Sequence, residues 1–198
     1  MLKNFYPIGI VAPQLHYLGR VFYFMKFLEK DLEQIIFESG MDSLNERGLY
    51  IRGKRLRQVR IGNYGIADLI TFQRPFYDGP EHEFWNPGRI TIYELKKEHI
   101  GISAFLQAVA YARGINRYLQ KRDKDDKYII DIKLIGRDID KNGAFCYIPQ
   151  ILNVHNQYYD LSSNMTEPGV IEFITYEYTI DGLKFNCSHN YSLTQEGF

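Results

Sequence analysis

The chain has 198 residues, 45% of them hydrophobic and 15% aromatic, and its 24 Lys and Arg balance 24 Asp and Glu. That is ample apolar material for a single domain with appendages, and zero net charge excludes a polycation that coats nucleic acid through bulk charge alone. Two cysteines, Cys146 and Cys187, with no C-x-x-C and no His/Cys cluster of zinc spacing, exclude a disulfide framework and a zinc module, so a reducing, cytoplasmic setting is expected.

Residues 1–27 read as an N-terminal extension. The stretch is apolar but is broken by Pro7, Pro13, Gln14, His16 and Arg20, so neither a signal peptide nor a membrane span is expected. Phe24 to Phe37 has apolar residues at helical spacing, with Gly40 as a stop, and predicts helix one. Between Arg47 and Arg60 lie six basic residues and no acid, whereas Asp160 to Phe198 holds six acids against Lys184 alone. The basic run reads either as a solvated edge or as a surface for phosphate, with Arg57 and Arg60 the candidates for substrate contact.

Leu49–Ile61, Ile66–Phe72 and Arg89–Leu95 are rich in β-branched and aromatic residues and predict a three-stranded meander. Phe76 to Gly88, between the last two, reads as an inserted loop, either a substrate flap or a packed Ω-loop. Ile102 to Leu119 returns to helical period, with small alanines suited to close packing on a sheet. Tyr128 to Ile135 then predicts a strand joining the same sheet after the helical crossover. Residues 28–135 thus form an α-β-β-β-α-β core, with a β-rich extension over 136–198 built from Phe145–Val154, Val170–Ile180 and Leu183–Asn186.

The chemistry concentrates at Tyr93-Glu94-Leu95-Lys96. A period of two places Glu94 and Lys96 on one face of the strand, and Asp68 lies near the start of the preceding strand, where hairpin pairing would bring it alongside. Two carboxylates at a strand end make a hard oxygen site for magnesium or manganese. Phosphodiester hydrolysis needs an activated water and neutralisation of charge on phosphate, which such an ion supplies. Lys96, kept protonated by its acidic neighbours, would add charge stabilisation. Acid-x-lysine alone is a weak signal, since Asp125-Asp126-Lys127 and Asp131-Ile132-Lys133 share it. The bland reading of Glu94 and Lys96 is a cross-strand ion pair.

Asp68, Glu94-Leu95-Lys96 and the following helix in this order resemble the PD-(D/E)XK nuclease superfamily, with its restriction-endonuclease-like core of a mixed central sheet flanked by helices. Gln107 and Tyr111 resemble the Gln-x-x-x-Tyr motif of the branch that includes recombination exonuclease domains. Glu29, Leu32 and Gly40 resemble the spacing on the first helix of archaeal Holliday junction resolvases. Asp68 follows alanine where the superfamily often has proline, and the 25 residues between Asp68 and Glu94 are long for a hairpin.

The resemblance implies a Mg2+-dependent (or Mn2+-dependent) deoxyribonuclease. Its metal would be held by Asp68, Glu94, the Leu95 carbonyl and Glu29, with Glu33 as the alternative third acid. Lys96 and Gln107 join the catalytic set, and Tyr111 faces substrate. DNA is the expected partner, a homodimer is conceivable, and no membrane association is expected. An inactive scaffold of the same fold, or a nuclease of RNA, remains open.

Overall fold

The computed structural model describes residues 27–78, 84–124, 127–142, 145, 148 and 169–192. Helix α1 (Glu29–Glu38) starts where the Asp31 carboxylate accepts the Leu28 N–H at 2.7 Å, the one half of a capping box available when the N-cap is a leucine with no side-chain acceptor. The sequence pattern predicts a start at Phe24; Phe27 and Leu28 are not helical, and residues 24–26 lie outside the described residues. A short helix α2 (Met41–Glu46) follows, with Leu44 as its buried residue.

Strands β1 (Lys54–Arg60), β2 (Ile66–Gln73) and β5 (Gly88–Leu95) form the expected antiparallel meander. The segment expected as an irregular insertion contains a two-stranded ladder, β3 (Phe76–Asp78) with β4 (Phe84–Asn86). After β6 (His99–Ile100), helix α3 (Ile102–Gln120) crosses over to β7 (Tyr128–Gly136), which pairs parallel with β5 along its length. A two-residue strand β8 (Asp138–Ile139) pairs with β6.

Strands β9 (Val170–Thr179) and β10 (Gly182–Ser192) continue the same sheet, giving the order β1-β2-β5-β7-β9-β10. The β-rich C-terminal segment is therefore built onto the core sheet, with β9 parallel to β7 and β10 antiparallel to β9. Of Phe145–Val154, only Phe145 and Ile148 lie within the described residues.

The sheet is mixed and covered on both faces, an α/β arrangement. On one face α3 lays Ala108, Tyr111 and Leu119 against Ile70, Ile92, Ile132 and Leu134. Alanines at 104 and 108 let the helix backbone come close to the sheet. On the other face Leu32 and Ile36 of α1 and Leu44 of α2 pack on Leu69, Leu95, Ile135 and Ile174. Each such fully buried aliphatic side chain contributes roughly 1.5–3 kcal/mol. Among the described residues no helix is long and apolar enough to cross a membrane.

Candidate active site at the ends of β2 and β5

The β2–β5 ladder runs from Gln73 opposite Arg89 to Leu69 opposite Tyr93 and stops there. Beyond that point Asp68 substitutes for the missing partner. Its Oδ2 accepts the Leu95 N–H at 3.0 Å, so a carboxylate is bound to the strand end that carries Glu94. Leu95 itself is fully buried and anchors the strand in the core beneath α1. Glu94 and Lys96, two residues apart, meet through their side chains, with Lys96 Nζ donating to Glu94 Oε1 at 2.8 Å. On the other side of Lys96, the Lys96 N–H donates to the Ile135 carbonyl at 2.7 Å, which ties the site to β7.

Glu29 arrives from the first turn of α1. Its Oε1 is 3.8 Å from Lys96 Nζ and its Oε2 accepts the Lys97 N–H at 3.3 Å. Glu94 and Glu29 therefore flank one ammonium group, and the charge of Asp68 acts on the same lysine.

Burial pushes the Glu94 carboxyl up to about 7; the hydrogen bond from Lys96 works against this, and the neighbouring Asp68 and Glu29 charges add to it. Glu94 is 3% exposed, and its Oε2 is a buried atom with no hydrogen-bond partner among the described residues. Asp68 is also raised, by burial above all. For Lys96, burial favours the neutral amine, but the hydrogen bond to Glu94 and the charges of Glu94, Glu29 and Asp68 outweigh it and hold the ammonium form. The arrangement concentrates oxygen donors around a fixed positive charge.

The other candidates fall into two groups. Tyr111 reaches the site region: its hydroxyl donates to the Ile66 carbonyl at 2.9 Å, and its ring lies against Gly65, whose φ of 122° and lack of a Cβ leave room for it. Gln107, one turn earlier on α3, is exposed, and among the described residues no hydrogen bond joins it to the cluster. Glu33 is buried and engaged elsewhere, accepting from Arg57 Nε at 2.7 Å and from Gln58 Nε2 at 2.6 Å. Arg57, which also lies over the Phe37 ring, therefore joins α1 to β1. Arg60 is exposed at the end of β1. Lys97, expected to face away from the cluster, pairs through its side chain with Glu98 at 3.3 Å.

Sequence reasoning missed Gln58. It has a φ of 48° within a strand and no bond to Asp68, the residue across from it; neither property leaves a trace in side-chain periodicity. Among the described residues no three His, Cys, Asp or Glu side chains form a ready-made metal cage. Compared with protein-family models, curated proteins and solved structures, the chain finds no match in any of the three.

Proposed function

We propose that this chain is a metal-dependent nuclease that hydrolyses DNA phosphodiester bonds at the cluster of Asp68, Glu94 and Lys96. One observation carries the reading. Glu94 is a buried carboxyl group with one oxygen bonded to Lys96 and the other, Oε2, without a partner among the described residues. A buried polar atom left unsatisfied costs about 1–3 kcal/mol, more when charged, and such a cost is kept where a ligand removes it.

The donor types suit a hard divalent cation: the carboxylates of Asp68 and Glu94, the Leu95 carbonyl, and Glu29 from α1 would draw together around it, since no three of these acids form a cage as they stand. When bound, magnesium or manganese supplies Lewis acidity and a water of lowered pKa. The chain's own residues do the rest. Asp68, hooked to the Leu95 N–H, fixes the strand end and so the direction of Glu94. Lys96 keeps its proton and places positive charge beside a scissile phosphate, where charge grows in the transition state. Tyr111 stands beside the cluster and walls it from the α3 side, and Arg60 on the edge strand faces outward where a phosphate backbone could run.

A second reading, a binding scaffold of the same fold, is favoured by Lys96 itself. Its ammonium lies 2.8 Å from Glu94 and 3.8 Å from Glu29, compensating the charge a metal would otherwise compensate. The two readings separate in a cleavage assay with magnesium on linear, circular, single-stranded and branched DNA, with RNA in parallel, repeated with Asp68→Ala and Lys96→Ala. Cleavage that both substitutions abolish supports the nuclease. Binding without cleavage supports the scaffold, and cleavage surviving both substitutions removes the cluster from the chemistry.

A further inference from the structure

The sheet face covered by α1 and α2 changes character along its length. At one end Leu69, Leu95, Ile135 and Ile174 are packed beneath the helices. At the other, Thr91, Asp131, Lys133 and Glu172 of the same face line a cavity of about 250 Å³, walled by Tyr50 and Arg52 from the segment between α2 and β1. Register makes the polar patch continuous: Thr91 lies across from Asp131, and Lys133 across from Glu172. Because Thr91 and Tyr93 alternate with Ile92 and Glu94 along β5, the cavity and Glu94 belong to opposite faces of the sheet.

The charges here are placed at a cost. Asp131 is 6% exposed, and the Lys133 and Glu172 side chains are 14% and 19% exposed. Asp131 is held by Arg89 at 3.1 Å and by the Val170 N–H at 3.0 Å. Lys133 bonds Glu172 at 2.8 Å and the Tyr50 carbonyl at 3.3 Å. Replacing buried ion pairs by apolar residues is often neutral or stabilising, and the covered half of this same face shows that apolar residues fit it.

The lining also carries unequal charge. Arg52, Arg89 and Lys133 stand against Asp131 and Glu172, a surplus of one positive charge. The surplus sits at the mouth, on Arg52. Its guanidinium lies over the Tyr50 ring at 4.6 Å and donates to the Tyr50 hydroxyl, with no carboxylate partner among the described residues. Tyr50 thus presents a preset cation to whatever enters.

We infer that this cavity is a second ligand site, taking a small polar oxyanion, a phosphate monoester or a carboxylate. Arg52 pairs with the anionic group, a geometry guanidinium suits, while Gln73 and Thr91 supply hydrogen-bonding groups for the polar body. The volume lies just under the roughly 300–1,000 Å³ of drug-sized sites, so the ligand is of mononucleotide size or smaller. The inference does not depend on the nuclease reading.

The test is calorimetric titration of the full chain, without divalent metal, using three probes: inorganic phosphate, deoxyadenosine monophosphate and succinate. Saturable binding of at least one probe at or below about 10 mM is expected, and the tightest probe tells phosphate from carboxylate. Arg52→Ala, an exposed position that leaves the fold intact, should weaken binding about tenfold. Arg52→Lys should restore part of it, and Lys96→Gln, which removes the cation of the acidic cluster, should leave it unchanged. Absence of saturable binding with all three probes overturns the proposal. So does binding indifferent to Arg52→Ala, and so does binding that Lys96→Gln abolishes while the variant unfolds like the parent, which would move the anion to the acidic cluster.

Discussion

Gln58 stands across from Asp68 at a break in the β1–β2 ladder: Arg57 pairs with Leu69 and Val59 with Ala67, and Gln58 between them adopts a φ of 48°. Its amide turns instead to Glu33, at 2.6 Å. The break coincides with the point where Asp68 leaves the sheet pairing to bind the Leu95 N–H. Left-handed backbone at a non-glycine residue in a strand stores about 1–3 kcal/mol. Gln58→Val, whose branched Cβ resists that conformation, should therefore be less stable than Gln58→Gly by about 1–3 kcal/mol. Urea unfolding of the two variants measures this, and equal midpoints would show that position 58 carries no backbone strain.

Asp68→Asn separates charge from scaffolding. The amide oxygen can still accept the Leu95 N–H, so unfolding free energy should stay within about 1 kcal/mol of the parent. Cleavage should fall by about 100-fold or more, since the charge is lost from the proposed metal site. If activity and folding are lost together, Asp68 is a structural residue.

Glu94 makes stability depend on pH in the opposite sense to an ordinary paired carboxylate. Its folded pKa, about 7, lies above the ordinary 4.5, so the native state binds the proton more tightly than the unfolded state. The protonated form stabilises fully below about 4.5, and that contribution is lost as pH rises through about 7. Glu94→Gln, which cannot ionise, should thus gain stability relative to the parent between pH 5 and pH 8, by about 2–3 kcal/mol in metal-free buffer. Denaturant titrations at the two pH values test the difference. A difference that stays flat or shrinks as pH rises would show that Lys96 holds the Glu94 carboxyl at or below its ordinary range.

Arg57 and Arg60 belong to the same basic run yet should respond differently. Arg57 compensates buried Glu33, and although its own side chain is partly exposed, Arg57→Ala leaves an uncompensated carboxylate beneath α1. A loss of about 1–3 kcal/mol of stability is expected, below the cost for a wholly buried pair. Arg60→Ala should change stability by less than about 0.5 kcal/mol and weaken DNA binding with a shallower salt dependence. Thermal unfolding and fluorescence anisotropy at two salt concentrations separate the roles. Equal stability of the two variants would return Arg57 to the surface.

The long periodic segments were legible in sequence because burial repeats along them. Ile66–Gln73, Gly88–Leu95, Ile102–Gln120 and Tyr128–Gly136 match the expected elements to within a residue or two. The expected start of β1 at Leu49 came five residues early. Leu49 and Ile51 are buried at alternate positions like strand residues, but they pack beneath α1 from an irregular segment, and Gly53, at φ 87°, precedes the strand. Helix α2 is too short for a period to show.

At the site, the nearness of Glu94 to Lys96 was legible from the strand's period of two and that of Asp68 from hairpin pairing, whereas Glu29 followed only from the resemblance of helix one to that of archaeal Holliday junction resolvases. The engagement of Glu33 was not legible, since its partners lie 24 and 25 residues away and only tertiary packing brings them there. Asp131-Ile132-Lys133 has the same acid-x-lysine pattern as the candidate site, but each of its charges is directed by register to a different partner, Arg89 and Glu172.

The edge strand β1 also bears on how molecules meet one another. A protein with no net charge has little overall repulsion to keep copies apart, and the outer rim of an edge strand offers unpaired backbone groups to any passing strand. Lys54 and Arg60 lie at the two ends of β1 with like charge, while Arg57 between them is neutralised by Glu33. Two such rims repel when they approach, so these cations act as gatekeepers against strand-to-strand aggregation.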